Sequence, residues 1–156
     1  MGSVIAPHCH FSSLLMVLLF CDGFTAFRNG EVVTGTGEDI MGIWLEKASE
    51  GLGSPVPSQI ADKLRGKEFS SFDAFREAFW TAVAEESTLL NQFSRSNQRL
   101  IKRGLAPFSV PEGQVGGRQR YEIHHQQEIQ YGGKVYDVDN LRVMTPRRHI
   151  DIHKGL

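Results

Sequence analysis

The chain has 156 residues, enough for one domain with a real hydrophobic core. Both cysteines, Cys9 and Cys21, precede residue 22, which excludes a disulfide framework or a cysteine-type zinc knuckle from the remainder and leaves only His or carboxylate as metal ligands. The formal charge of −1 hides an asymmetry: residues 1–93 carry 6 basic against 12 acidic residues, residues 94–156 carry 11 against 6, and four of the six histidines fall in the basic part.

Near the start, the apolar run Phe11–Phe20 has the length of a signal-peptide core and is too short to span a bilayer. No Lys or Arg precedes it, and Phe20 before Cys21 suits no cleavage site, so residues 1–27 are expected to form a leader, either weakly signal-like or mistranslated, and no stable membrane span is expected. Residues 28–42, rich in Gly and Thr, read as a flexible arm, and the domain proper is expected over 43–156, with Trp44 and Leu45 opening its packed part. Gly51–Pro57 reads as a turn, and Ser58 as the N-cap of a helix over Gln59–Arg65 that Gly66 ends. Ser70 with Asp73 resembles a capping pair for a longer helix, whose stripe of Phe72, Phe75, Phe79 and Val83 is expected to be core. Leu89, Leu90 and Phe93 suggest a further helical turn, and Asn97–Arg103 a helix ended by Gly104. Phe108, in a proline-containing loop, reads as core or as an exposed anchor for a partner.

Further on, Arg120–His124 reads as a strand, Gly132-Gly133 as a tight turn and Asn140–Met144 as the returning strand. Thr145 then caps a last helix with Pro146 at its first position, where a missing N–H costs nothing. The expected fold class is α+β: a mostly helical domain carrying a C-terminal ββα unit.

That unit concentrates chemistry. His149 and His153 stand four apart, on one face of a helix, where two imidazoles can share an ion. Strand alternation puts Glu122 and His124 on one side and His125 on the other, so one of the adjacent histidines can bind metal while its neighbour stays free to take a proton from water. Three imidazoles leave coordination positions open and favour zinc, nickel or a similar transition ion over magnesium. Glu122 fits an outer carboxylate that orients an imidazole, and Arg118 a fork for phosphate. Each piece alone is commonplace on a surface; their joint occurrence with Asn140 inside one ββα frame points to metal-assisted phosphodiester chemistry.

Gln114–Arg118, Tyr121–His125, Val135–Asn140 and Thr145–Gly155 together resemble the cytotoxic HNH nuclease domain of DNase-type colicins and S-type pyocins. The likeness extends upstream through Pro55–Phe69, Phe75–Trp80 and Gly104–Phe108, covering the chain from about Gly30 onward. The resemblance implies a ββα-metal (HNH, His-Me finger) fold and a nonspecific endonuclease that cuts double-stranded DNA with one divalent ion, Zn, Ni or Mg. His124, His149 and His153 would be its ligands, His125 the general base, Asn140 a brace for the His125 loop, and Glu122 and Arg118 a supporting pair. Arg28 and Arg76 would join Arg118 in binding phosphate. The resemblance also implies a small acidic immunity protein on a surface from about Ser94 to Gly117, contacting Asn97 and Phe108 with Arg76 near its edge. The toxin would be released, act in the target-cell cytoplasm, and be held inactive in the producer by its immunity protein.

Three departures from that pattern are expected to matter: these 156 residues offer no stretch read as a translocation or receptor-binding domain, Gln126-Gln127-Glu128 follows the paired histidines where relatives usually reach a proline, and the N-terminal half is acidic. A non-catalytic remnant or decoy that binds metal and an immunity protein is the alternative these departures suggest, and an HNH nuclease of a homing or restriction system is a third.

Overall fold

A computed structural model describes residues 31–156; the leader expected over residues 1–27 and Arg28 lie outside the described residues. The core is built around the aromatic stripe. Helix α2 (Phe72–Glu85) buries Phe75, Phe79 and Val83 completely, each apolar side chain of this size contributing roughly 1.5–3 kcal/mol. Trp44 packs 6.1 Å from Phe79 and 5.9 Å from Trp80 between ring centroids, and its indole N–H donates to the Pro55 carbonyl at 2.8 Å. The N-cap of α2 is Ser71, not Ser70: its hydroxyl accepts from the Ala74 N–H, three residues on, the spacing a cap requires.

Helix α1 (Ser58–Leu64) starts one residue earlier than expected, with Pro57 at the cap position and no side-chain cap. Ser58 is occupied elsewhere, its N–H donating to the Glu38 carbonyl at 2.9 Å and its hydroxyl to Asp39 Oδ1 at 2.6 Å. The segment around Glu38 corrects the expectation of an arm lying outside the packed domain. Residues 31–42 are extended but laid on the core: Val33 is 1 % exposed, its N–H bonds to the Lys67 carbonyl, and Thr34 N–H bonds to that of Tyr136. The Asp139 carboxylate also accepts from the Thr36 and Gly37 N–H groups. Main-chain partners this remote in sequence satisfy a Gly- and Thr-rich stretch that local composition reads as unattached.

Helices α3 (Ser87–Leu90) and α4 (Arg95–Ile101) follow α2, the latter beginning before Asn97 because Ser94 caps it, and ending before Arg103. The sheet has strand order β1-β3-β2, all antiparallel, with β1 Ser54–Pro55, β2 Glu122–His125 and β3 Leu141–Met144. β1 lies where a turn was expected. β2 begins after Arg120, which forms an isolated bridge with Phe108, and Asn140 sits in a 3₁₀ turn just before β3. Register pairs His124 with Arg142 and His125 with Leu141.

Between β2 and β3 the chain folds tightly back on itself. A Cβ on Gly133 would stand 1.9 Å from the Gln127 carbonyl oxygen, so only glycine lets this loop close. Helix α5 (Pro146–His153) starts as expected, the Thr145 hydroxyl accepting from the Arg148 N–H and Pro146 opening the first turn. The fold is the expected α+β with a C-terminal ββα unit. Among the described residues no helix is long and apolar enough to cross a membrane.

Candidate metal centre and its surroundings

One residue, Thr145, separates β3 from α5, so the helix folds back beside β2, which pairs with β3. His149 and His153, one turn apart on α5, thereby meet His124 from β2. Ring centroids lie 4.9 Å apart for His124 and His149, 5.3 Å for His124 and His153, and 4.9 Å for His149 and His153. One nitrogen from each ring falls within 4.8 Å of the others, so the three can hold one metal ion.

The electrostatics suit that use. Burial holds the His124 ring at a pKa of about 4, with the neighbouring histidines adding to the effect, so at neutral pH it keeps a lone pair for a ligand. Burial alone would push the Glu122 carboxyl up, but hydrogen bonds from His149 and Arg118 outweigh it and bring the group down to about 2. Glu122 Oε2 lies 2.5 Å from His149 Nδ1, and a carboxylate can only accept, so that nitrogen carries a proton and in the neutral ring Nε2 holds the lone pair. Arg118 grips the same carboxylate with both prongs, Nε to Oε1 at 2.9 Å and Nη2 to Oε2 at 2.5 Å. The fork expected to face phosphate is thus set on Glu122, while the side chain remains about half exposed to solvent.

His125 points to the other side of β2, as alternation requires. Its Nε2–H donates to the Val135 carbonyl at 3.0 Å, so in the neutral ring Nδ1 carries the lone pair. Burial lowers the ring's pKa, the Val135 bond opposes this, and the positive charge of Arg76 lowers it again. Phe72, at the end of the aromatic stripe, packs its ring 5.1 Å from that of His125 and so serves the site as well as the core. Arg76 lies 4.9 Å over the Phe72 ring and pairs with Asp73 at 2.7 Å, which brings it to the His125 side.

Asn140 closes the loop that follows β2. Its Oδ1 accepts from the Gln127 N–H at 2.8 Å, and its Nδ2 donates to the carbonyls of Gln127 and Lys134 at 3.1 and 3.2 Å. Asn97 and Phe108 also meet: the Asn97 amide donates to the Phe108 carbonyl and accepts from the Phe108 N–H, both at 3.0 Å. Phe108 is 42 % exposed and not core, with Arg120 stacked over it at 5.1 Å. A shallow groove is lined by Phe108, Arg118, Arg120 and Glu122, the last of which bonds to His149. One participant was not foreseen, Phe72, whose second face shows only once β2 is placed; Glu128, which the sequence marks as a departure beside the paired histidines, lies 3.9 Å from His153.

Comparison with known proteins places this geometry. Residues 31–154 match the family described as Colicin/Pyocin-S2, DNase domain. The chain is 50 % identical over 122 residues to colicin-E2 of Escherichia coli, covering 78 % of this chain and 21 % of that protein. It is likewise 50 % identical over 122 residues to pyocin-S2 of Pseudomonas aeruginosa, with 78 % and 18 % covered, so it spans about a fifth of these relatives. Among solved structures, the pyocin AP41 DNase–immunity complex is similar at a TM-score of 0.78 and 49 % identity, covering 81 % of this chain and 98 % of that one. The mutant nuclease domain of pyocin S8 with its cognate immunity protein gives 0.76 and 53 %, with 78 % and 97 % covered. The chain therefore belongs to the colicin/pyocin DNase domain family.

Proposed function

We propose that this chain is a metal-dependent, nonspecific DNA endonuclease of bacteriocin type, hydrolysing phosphodiester bonds with His125 as general base. The observation that carries the reading is the convergence of His124, His149 and His153 on one point, with His125 on the opposite face of the same strand and its Nε2 bonded to the Val135 carbonyl. Three neutral imidazoles fit a divalent transition ion of the zinc or nickel kind better than magnesium. Such an ion, when bound, supplies a Lewis acid for a phosphate oxygen.

The chain's own residues do the rest. His125 Nδ1 takes a proton from water, whose oxygen forms the new bond to phosphorus as the bond to the leaving sugar oxygen breaks. Burial disfavours protonation of that ring beforehand, and Val135 and Phe72 fix its orientation. Asn140 holds the loop that follows it, and Glu122 sets the His149 tautomer. Arg118 and Arg76 supply positive charge for the phosphate backbone, and Arg28 is a further candidate from the N-terminal side.

The solved relatives are complexes with immunity proteins, which supports an immunity partner here; the small acidic protein expected in that role is assigned to the Asn97–Phe108 surface by this reading. In this reading the domain is a released toxin that acts in the cytoplasm of a target cell and is held inactive by that partner in the producer. Plasmid nicking by the full chain, with and without divalent ions, tests it. His125→Ala is expected to lose cutting while retaining metal. A folded, metal-loaded parent that never nicks would identify a non-catalytic domain instead.

A further inference from the structure

A second carboxylate stands at the histidine cluster, and the roles assigned above leave it without a use. Glu128 follows directly after Gln127, whose N–H and C=O are both held by the Asn140 side chain. The Glu128 carbonyl accepts from the N–H groups of Tyr131 and Gly133 at 2.9 and 3.1 Å, so the backbone at this position is fixed on both sides. Its side chain is steered too: the Gln130 amide donates to Oε2, and Oε1 is turned to His153 Nδ1 at 3.9 Å. That separation is too long for a hydrogen bond and well within the range of charge. The same charge is felt at His124, where it opposes the effect of burial.

The two carboxylates differ in what they leave over. Glu122 has its charge matched by the Arg118 fork, whereas the amide that holds Glu128 is neutral. Three neutral imidazoles bring no charge to a divalent ion, so a carboxylate on a fixed loop beside two of them changes the field there substantially.

We propose that Glu128 is a positioning residue of the histidine cluster, setting His153 and adding the negative charge that tightens the hold on a divalent cation. The inference rests on the reading of His124, His149 and His153 as ligands. It gives the loop after β2 a second role: Asn140 locks it behind His125, and the locked loop presents Glu128.

The test is zinc affinity of the full chain, measured by competition with a chromophoric chelator at neutral pH and low ionic strength. Glu128→Gln keeps the shape and the Gln130 contact and is expected to bind zinc about tenfold more weakly or worse, the range for loss of an outer carboxylate. Glu128→Asp, which keeps the charge, is expected to recover most of the affinity, and the thermal midpoints of the metal-free proteins to stay together. The gap should narrow at high salt, because both Glu128 and His153 are reached by solvent. Parent-like zinc affinity in Glu128→Gln, alongside binding lost in His149→Ala, would overturn the role of Glu128 and leave the three-histidine reading intact. A parent that takes no zinc, or a His149→Ala variant that binds as well as the parent, would overturn both.

Discussion

Replacing Glu122 with Gln removes one charge from the site and almost nothing else, so its consequences can be worked through. The carboxyl sits at a pKa of about 2 instead of 4.5 because His149 and Arg118 hold the ionised form against the penalty of burial. A depression of that size corresponds to about 3 kcal/mol of native-state stability at neutral pH, and solvent that still reaches the group reduces it to about 1–2 kcal/mol. That contribution is fully present above the unfolded carboxyl's pKa and is lost as pH falls toward the folded value. The parent should therefore exceed Glu122→Gln by about 1–2 kcal/mol in urea denaturation of the metal-free proteins at neutral pH. The gap should shrink to less than about half near pH 3. Zinc affinity should fall by about 10–100-fold in the same variant, because the His149 tautomer loses its anionic acceptor. Equal stability at neutral pH, or a gap that does not change on acidification, would refute the assignment of the Glu122 charge to the native fold.

Asn140→Ala removes three side-chain hydrogen bonds that close the loop after β2, and is expected to cost about 1–3 kcal/mol in chemical denaturation. Nicking should drop with it while zinc affinity falls far less than in His149→Ala, since Asn140 touches none of the three ligands. If an immunity protein seats on the Asn97–Phe108 surface as proposed, Phe108→Ala is expected to weaken its binding by about 2 kcal/mol or more, read by titration calorimetry, with nicking unchanged.

Features set by short-range geometry were legible in the sequence, and those set by distant partners were not. The spacing of His149 and His153 determines that they share a helix face, and the adjacency of His124 and His125 determines that they do not share a strand face, so a three-to-one division was legible while the choice of His124 over His125 came from the family resemblance. Thr145 and Pro146 announce the start of α5 in the same local way. By contrast, β1 is two residues long and exists only because β3 lies beside it. The 31–42 segment offers one buried valine, and its bonds run to residues as remote as Tyr136 and Asp139. Ser58 and Ser70 look like caps by composition, but Ser58 is drawn to Asp39, and Ser71 has the right spacing to Ala74. Phe72 matches its helix stripe perfectly well as core, and its contact with His125 follows from where β2 packs, which no local pattern encodes.

Plasmid nicking by the full chain with zinc, nickel, magnesium or no metal, run beside His125→Ala under matched metal loading, tests the central claim most directly. Cutting is expected to require a divalent ion and to disappear in His125→Ala although that variant still binds the ion. Cutting by His125→Ala at the parent's rate would contradict it.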